Sequence, residues 1–175
     1  MLKFAKTRGA VAMAVASLAL AGGTTLATAG AAHADGDCGA TWYDVGEPGS
    51  LYMQRSDGGY IYVGEVEQQY QSCGGGVVNA RGHFQWASAF QSAYPGKWIN
   101  VWQYSPYSND SGSEWYQTYT KDAYSYPVEI HHASPDAWQA EATLNGCGSY
   151  AKGTYWYYGT GTPWGNWYPG NCPNV

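Results

Sequence analysis

The most constraining feature of this chain is a regular alternation of residue types over Val77–Phe90. Every second position, including Val78 and Phe84, is largely apolar, whereas the positions between them are mostly polar up to Gln85. A β-strand sends successive side chains to opposite faces, so this pattern predicts a strand with one face against a core. The segment therefore needs a sheet whose apolar face is covered.

A second alternating segment, Lys97–Tyr104, follows closely. Between the two segments, Tyr94–Lys97 has the turn chemistry of a proline followed by a glycine. We therefore predict that Val77–Tyr104 forms two long strands joined by a tight turn, at the centre of the fold. In the second strand Ile99 and Val101 share one face, and aromatic residues occupy the other.

The first 34 residues have the pattern of a secretory signal peptide. A basic start with Lys3 and Arg8 precedes the uncharged apolar stretch Gly9–Leu26, and Ala32–Ala34 is a small-x-small cleavage site. Cleavage there leaves residues 35–175 as one secreted domain with no membrane-inserted segment. The mature domain keeps all 13 acidic residues but only five basic ones, so its formal net charge is −8. Such a charge excludes the basic surface expected of a nucleic-acid-binding protein.

Aromatic residues replace aliphatic ones to an unusual degree. The chain has 9 Trp and 17 Tyr, all of them in the mature domain, while Leu, Ile, Val and Phe are scarce there. Disordered chains are poor in aromatic residues, so this composition indicates a folded domain. We expect the aromatic rings to build much of the core, because each ring buries about 150–250 Å².

An even number of cysteines in an exported chain predicts disulfide bonds rather than a free thiol. All four, Cys38, Cys73, Cys147 and Cys172, lie in the mature domain. Three pairings are possible. We favour Cys38–Cys73 and Cys147–Cys172, because each would tie a terminal segment to the nearest strand end.

The remaining segments predict an all-β fold. Ser56–Gly59 is a hairpin turn signal, and Gly159–Val175 resembles a loop-like tail. Seven to eight closely spaced strands favour an antiparallel β-sandwich, immunoglobulin-like, or a small barrel. The further predicted strands are Leu51–Arg55, Tyr60–Tyr70, Glu114–Lys121, Tyr124–His131 and Tyr150–Tyr158.

Ser134–Gly146 is ambiguous between helix and strand. Ser134 and Pro135 are good residues for a helix start, and Gly146 is a good stop. However, the apolar residues of Ala137–Leu144 alternate without a break and do not form one helical stripe. We predict a strand over Ala137–Leu144.

The titratable residues predict neither a catalytic nor a metal site. Glu129 and His131 would share one strand face with His132 on the other and Asp136 in a loop, whereas a zinc site needs three or four converging ligands. Glu65 and Glu67 would lie about 6.6 Å apart on one strand face, a spacing shared by many unrelated surface pairs. We predict a non-catalytic domain without a cofactor.

Binding through aromatic side chains is the better-supported function class. Trp and Tyr present large rigid faces and are enriched where proteins meet ligands. A core role for these rings is the competing interpretation. We predict that the domain binds an extracellular glycan or cell-surface polymer; the alternative is a protein-interaction subunit, either an adaptor in a secreted assembly or an inhibitor. The candidate ligand-binding residues are Trp98, Trp102, Tyr104, Trp164, Trp167 and Tyr168.

Overall fold

The computed structural model describes residues 37–174, so the predicted signal peptide lies outside the described residues. The described part is nearly all β, with one short helix, α1, at Ser88–Ala93. Its strands are β1 Tyr43–Gln54, β2 Tyr60–Gly74, β3 Val77–Trp86, β4 Trp98–Tyr104, β5 Glu114–Gln117, β6 Asp122–Tyr124, β7 Val128–Glu129, β8 Ala137–Leu144, β9 Ala151–Lys152, β10 Tyr155–Tyr157, β11 Thr162–Gly165 and β12 Gly170–Cys172.

The strands form two six-stranded sheets that pack together as a sandwich. Sheet 1 has the order β12-β1-β2-β3-β6, with β7 also paired to β3. Sheet 2 has the order β11-β10-β8-β4-β5, with β9 also paired to β8. All pairs are antiparallel except β1 with β12, which is parallel. The predicted all-β sandwich is confirmed, and the immunoglobulin-like topology stays a prediction.

The core lies between the sheets and is less aromatic than expected. Its largest fully buried rings are Trp138, Phe84 and Phe90, and they pack with Leu, Ile, Val, Met and Ala side chains. Most Trp and Tyr residues are instead partly or well exposed on the outer surfaces. The aliphatic residues are few but are used almost entirely in the core, which leaves the aromatic rings free for the surface.

The central hairpin predicted over Val77–Tyr104 is wrong. β3 lies in sheet 1 and β4 in sheet 2, and α1 carries the chain from one sheet to the other. Within this crossover Trp86 stacks on Phe90 at 6.0 Å, and Phe90 stacks on Tyr94 at 5.0 Å. Residues four apart lie on one side of a helix, so these ring contacts stabilise the helical turn.

The segment Ala137–Leu144 is a strand, as predicted, and it is buried along its whole length. The β1–β2 hairpin around Ser56–Gly59 is also confirmed. The tail Gly159–Val175 differs from the prediction, because it contributes β11 to sheet 2 and β12 to sheet 1. The predicted strand Tyr150–Tyr158 is divided into β9 and β10 at Thr154, whose hydroxyl accepts a hydrogen bond from the Glu47 amide at 2.7 Å.

The strands predicted over Glu114–Lys121 and Tyr124–His131 are shorter than expected. Asp122 and Ala123, which lie between the two predicted strands, belong to β6, which pairs with β3. The chain then leaves the sheet and returns only briefly as β7, which ends at Glu129. The histidines that follow Glu129 therefore lie in a loop, where strand alternation does not direct them.

A bulge at Gly64 changes which residues of β2 face the core. The register of β1 with β2 shifts here by one residue, and Gly64 has a φ of 156°. Val63 on one side and Val66 on the other both face inward as a result. The bulge also turns Glu67 to the outer face of sheet 1.

Gly82 is the point where the two sheets approach each other closely. A Cβ placed on Gly82 in β3 would lie 2.8 Å from a methyl group of Val101 and 3.3 Å from the backbone oxygen of Trp102. No larger residue fits this contact without moving β4 away from β3. Gly82 therefore sets the distance between β4 and sheet 1.

Both predicted disulfide bonds are present. Cys38–Cys73 fastens the segment before β1 to the end of β2, and Cys147–Cys172 fastens β12 to the chain after β8. The fully buried amide of Gln71 strengthens the first attachment, because its nitrogen donates to the Asp37 carboxylate and the Ala40 carbonyl, each at 2.9 Å.

Candidate functional site

The outer face of sheet 2 carries a strip of aromatic side chains. Alternation along β4 turns Ile99 and Val101 into the core and sends Trp98, Trp102 and Tyr104 outward. Trp98 is 42% exposed and Tyr104 is 43% exposed, while Trp102 is half-buried against Tyr150. The three β4 residues predicted as a binding platform therefore do lie together on one surface.

The structure separates the three residues predicted in the tail. Tyr168 joins the strip, because its backbone pairs with Lys152 and its side chain faces the same depression as Tyr104. Trp164 lies in β11 and stacks on Tyr157 at 4.4 Å, which places it at the far edge of sheet 2. Trp167 is exposed but lines neither of the depressions described next.

Two depressions meet at Tyr104. The larger has a volume of about 550 Å³ and the smaller about 310 Å³, and Tyr104 lines both. We call the two together the Tyr104 groove. The larger side is bounded by Asn100, Trp102, Tyr150 and the loop 105–113. The smaller side is lined by Tyr104, Pro106, Gln139, Tyr155, Gly165, Asn166 and Tyr168.

Polar groups at the groove are held in place by hydrogen bonds. The Ser113 hydroxyl donates to Asn100 Oδ1 at 2.8 Å on the larger side. On the smaller side the Gln139 amide donates to the Gly153 carbonyl at 2.6 Å. Burial raises the pKa of Tyr155 to about 12, so its hydroxyl stays protonated over the physiological range. Of these groups, the exposed pair of Ser113 and Asn100 can donate to and accept from hydroxyls of a ligand.

A partly buried ion pair lies in the outer face of sheet 2 between the aromatic rings. Lys152 Nζ is 2.8 Å from Glu141 Oε1, and Glu141 is only 3% exposed. The ammonium group also lies 5.7 Å from the centre of the Tyr104 ring and 5.8 Å from that of Tyr150. Burial raises the pKa of Glu141, and the hydrogen bond from Lys152 opposes this shift. The pair holds the two rings near each other and neutralises the charge of Lys152.

Sequence reasoning missed Tyr150, Tyr155, Glu141 and Lys152 as members of this surface. Glu141 was recognisable, because it alternates with the apolar set of Ala137–Leu144 and so faces outward from a buried strand. The positions of Tyr150 and Tyr155 depend on the break between β9 and β10, which no local pattern predicts.

The titratable residues near the end of β7 do not converge. His131 Nδ1 donates to Asp136 Oδ2 at 2.5 Å, whereas His132 lies 3.1 Å from Asp110 and 4.0 Å from Glu129. They form separate pairs rather than one shared ligand set. Glu65 and Glu67 share one face of β2, as expected, but each has its own partner, since Glu65 accepts from Tyr62 and Glu67 from His83.

A polar cluster that the sequence did not reveal lies on the outer face of sheet 1. His83 is 8% exposed, with Nδ1 at 2.7 Å from Glu67 and Nε2 at 3.5 Å from Asp122. Its ring stacks on Tyr124 at 4.6 Å, and the Arg81 guanidinium lies over the same Tyr124 ring at 4.2 Å. The cluster joins β2, β3 and β6 and covers the outer face of sheet 1.

Within residues 37–174, Asp44, Glu67 and His83 are the one group of three whose ligand atoms lie close enough to share a metal ion. The amide nitrogen of Gln69 donates to Asp44 at 2.8 Å and lies 3.3 Å from His83. An amide donor in this position competes directly with a cation. The geometry therefore fits a hydrogen-bonded cluster better than a metal centre.

We expect the Glu67 carboxylate to stabilise the fold in a pH-dependent way. The hydrogen bond from His83 lowers the pKa of Glu67, so the folded state favours the ionised form. The stabilisation is present above the ordinary pKa of a glutamate and is lost as the pH falls through the lowered value. Denaturant unfolding should show the difference between wild type and Glu67→Gln shrinking from about pH 5.5 to about pH 3.

Glu65→Gln is the matched control for this measurement, because Glu65 lies two residues away and accepts only from the Tyr62 hydroxyl. It should change the unfolding free energy less than Glu67→Gln does at pH 5.5. A gap between Glu67→Gln and wild type that stays constant across the range would contradict the role assigned to the His83 contact.

Among residues 37–174, no helix has the length and apolar character that a membrane crossing requires. Comparisons of the chain with protein-family models, with curated proteins and with solved structures find no match.

Proposed function

We propose that the protein is a secreted, non-catalytic module that binds an extracellular glycan or cell-surface polymer in the Tyr104 groove. The observation that carries the proposal is the junction of two depressions at one exposed aromatic ring. Sugar rings have apolar faces that stack on Trp and Tyr, and their hydroxyls need nearby donors and acceptors. The groove supplies both types of contact along one extended surface.

The dimensions of the strip favour an extended ligand over a single small molecule. Trp98 and Trp102 are four residues apart on β4, about 13 Å, and Trp102 and Tyr104 are about 7 Å apart. The ligand would cross Tyr104 and occupy both sides of the groove. A polymer or oligomer satisfies this geometry.

The charges around the groove favour a neutral glycan. Lys152 is neutralised by Glu141, and the larger side also carries the Asp110 carboxylate. Neither depression has an arginine among its lining residues. Binding that depends on ring stacking should therefore change little with salt, because ions screen charges and not ring faces. The two disulfides are compatible with the extracellular location that the signal peptide predicts.

We expect Trp102→Ala and Tyr104→Ala each to weaken glycan binding by about 2 kcal/mol, or roughly 30-fold, because each removes a stacking face from the groove. A pull-down with insoluble polysaccharides would first identify the ligand class. Calorimetry with a soluble oligosaccharide of that class would then give the affinity. Melting of each variant separates a loss of binding from a loss of folding.

Tyr60→Ala is the matched control, because Tyr60 is 58% exposed but lies on β2 in sheet 1. It should leave the affinity unchanged. If the wild-type protein binds no polysaccharide of a broad panel and instead co-purifies with another secreted protein, the module is the adaptor or inhibitor that the sequence also allows. Equal losses of affinity in Tyr60→Ala and Tyr104→Ala would also exclude the Tyr104 groove as the binding site.

A further inference from the structure

A second cavity opens between the two sheets and shares no lining residue with the Tyr104 groove. Its volume is about 600 Å³, within the range of small-molecule sites in proteins. Both sheets contribute to it, since β1, β2 and β3 supply one wall and the end of β10 supplies the other. The side chains that line it include Val45, Tyr70, Val78, His131, Trp156 and Tyr158.

The walls of this cavity are aromatic and well fixed. Tyr70 and Tyr158 meet edge-to-face, with ring centres 6.1 Å apart and planes at 65°. The Tyr158 hydroxyl accepts a hydrogen bond from the buried Gln68 amide at 2.8 Å, which holds that ring in place. Trp156 lies directly opposite the buried Trp138 in the β8–β10 pair, so it also faces inward. A flat ring can stack on one wall and meet the edge of another.

Asp44 and His131 also line the cavity, and the Asp44 carboxylate accepts a hydrogen bond from the Gln69 amide at 2.8 Å. The orientation of His131 is fixed as well. His131 Nδ1 donates to Asp136, and the other oxygen of Asp136 accepts from the Trp138 indole at 3.2 Å. Because Asp136 is held from both sides, it fixes the His131 ring with the proton on Nδ1. In the neutral imidazole, Nε2 is then a hydrogen-bond acceptor without a partner among the described residues.

We propose that this cavity binds a small aromatic hydroxy compound of the phenol class. The aromatic ring would lie among Tyr70, Trp156 and Tyr158, and the phenolic hydroxyl would donate to His131 Nε2. A phenol matches both parts of the site, whereas an aromatic ether has no proton to donate. No lysine or arginine lines the cavity, so an aromatic carboxylate would lack a counter-charge.

The test compares 2-naphthol with its methyl ether, 2-methoxynaphthalene, by two-dimensional NMR of the disulfide-intact protein. We expect 2-naphthol to shift the Trp156 indole signal and to bind about five-fold more tightly than the ether, the value of one net hydrogen bond. In His131→Phe, which keeps a ring but removes the acceptor, the two ligands should bind about equally. Trp156→Leu should weaken both ligands together.

Trp98→Leu is the matched control, because it removes an exposed indole from the outer face of sheet 2, outside this cavity, and should leave naphthol binding unchanged. Equal affinity of the two ligands for the wild type would overturn the assignment, as would shifts confined to the Tyr104 groove or no shift at millimolar ligand. If His131→Phe fails to fold, His131→Leu provides the same test with a smaller side chain that also has no acceptor. It should abolish the preference for 2-naphthol, and an unchanged preference would exclude a role for His131.

Discussion

Removing the two disulfide bonds should destabilise the protein strongly. In the loop-closure model, bridges across 35 and 25 residues contribute about 3.8 and 3.5 kcal/mol to the unfolding free energy. Their sum of about 7 kcal/mol is comparable with the whole stability of a typical domain, about 5–15 kcal/mol. Denaturant unfolding of the reduced protein, with reduction checked by mass, measures the loss.

The paired variants Cys38→Ala/Cys73→Ala and Cys147→Ala/Cys172→Ala separate the two bridges. Alanine suits this purpose because Cys172 is 1% exposed, and a serine there would bury a hydroxyl. We expect losses of similar size, since the two loops differ little in length. Identical melting temperatures for oxidised and fully reduced protein would show that packing alone maintains the sandwich.

Removing the positive charge of the partly buried ion pair should have the second-largest effect. Lys152→Met keeps the apolar stem but leaves the Glu141 carboxylate, 3% exposed, without its partner. We expect a loss of about 3 kcal/mol at pH 8, the lower end for a broken buried pair, because the Lys152 side chain is still 32% exposed. Denaturant unfolding at pH 8 and at pH about 4.5 tests this, the lower value lying near the ordinary pKa of glutamate.

The ionisation of Glu141 determines how the stability loss of Lys152→Met changes with pH. Burial already raises its pKa, so the protonated form favours folding, and the penalty appears only as the pH rises and the carboxyl ionises. The variant should therefore approach wild type at the lower pH. Adding Glu141→Gln to Lys152→Met should restore most of the stability at pH 8. A loss that is equal at both pH values would indicate lost packing of the lysine stem instead.

The alternation of apolar and polar residues correctly predicted the strands that stay in a single sheet along their whole length. Ala137–Leu144 is the clearest case, because its pattern outweighed good helix punctuation, and the strand lies at the centre of sheet 2. The outward direction of Trp98, Trp102 and Tyr104 follows from the same rule. The strand backbone itself sends successive side chains to opposite faces, so this alternation does not depend on which strands lie beside it.

The sequence patterns did not predict the elements in which a local change alters the path of the chain. The crossover at α1 was readable from Trp86, Phe90 and Tyr94, which are spaced four apart, but the first two also fit the strand alternation that precedes them. The bulge at Gly64 adds one residue to β2, and this reverses which side chains after it face the core. Such changes depend on pairing partners in another part of the chain.

The buried cluster around His83 was hidden for a related reason. Polar residues at alternate positions of β3 predicted a face toward water or a partner, yet the face is covered by Tyr124 and by Trp42, whose ring lies 4.1 Å from the Arg81 guanidinium. Trp42 is brought there by the segment that Cys38–Cys73 fastens. A polar residue can be buried wherever a distant segment folds over it, and sequence spacing does not report that.

The contact at Gly82 links the shape of the Tyr104 groove to the opposite sheet. Because the Gly82 backbone lies directly beneath Val101 and Trp102, the curvature of β4 is set from a layer that no ligand touches. The rings of Trp102 and Tyr104 therefore belong to a strand that has little freedom to move toward or away from sheet 1. Over evolutionary time, a change of ligand could therefore begin with substitutions in β3, which would reshape the groove before any of its own residues changed.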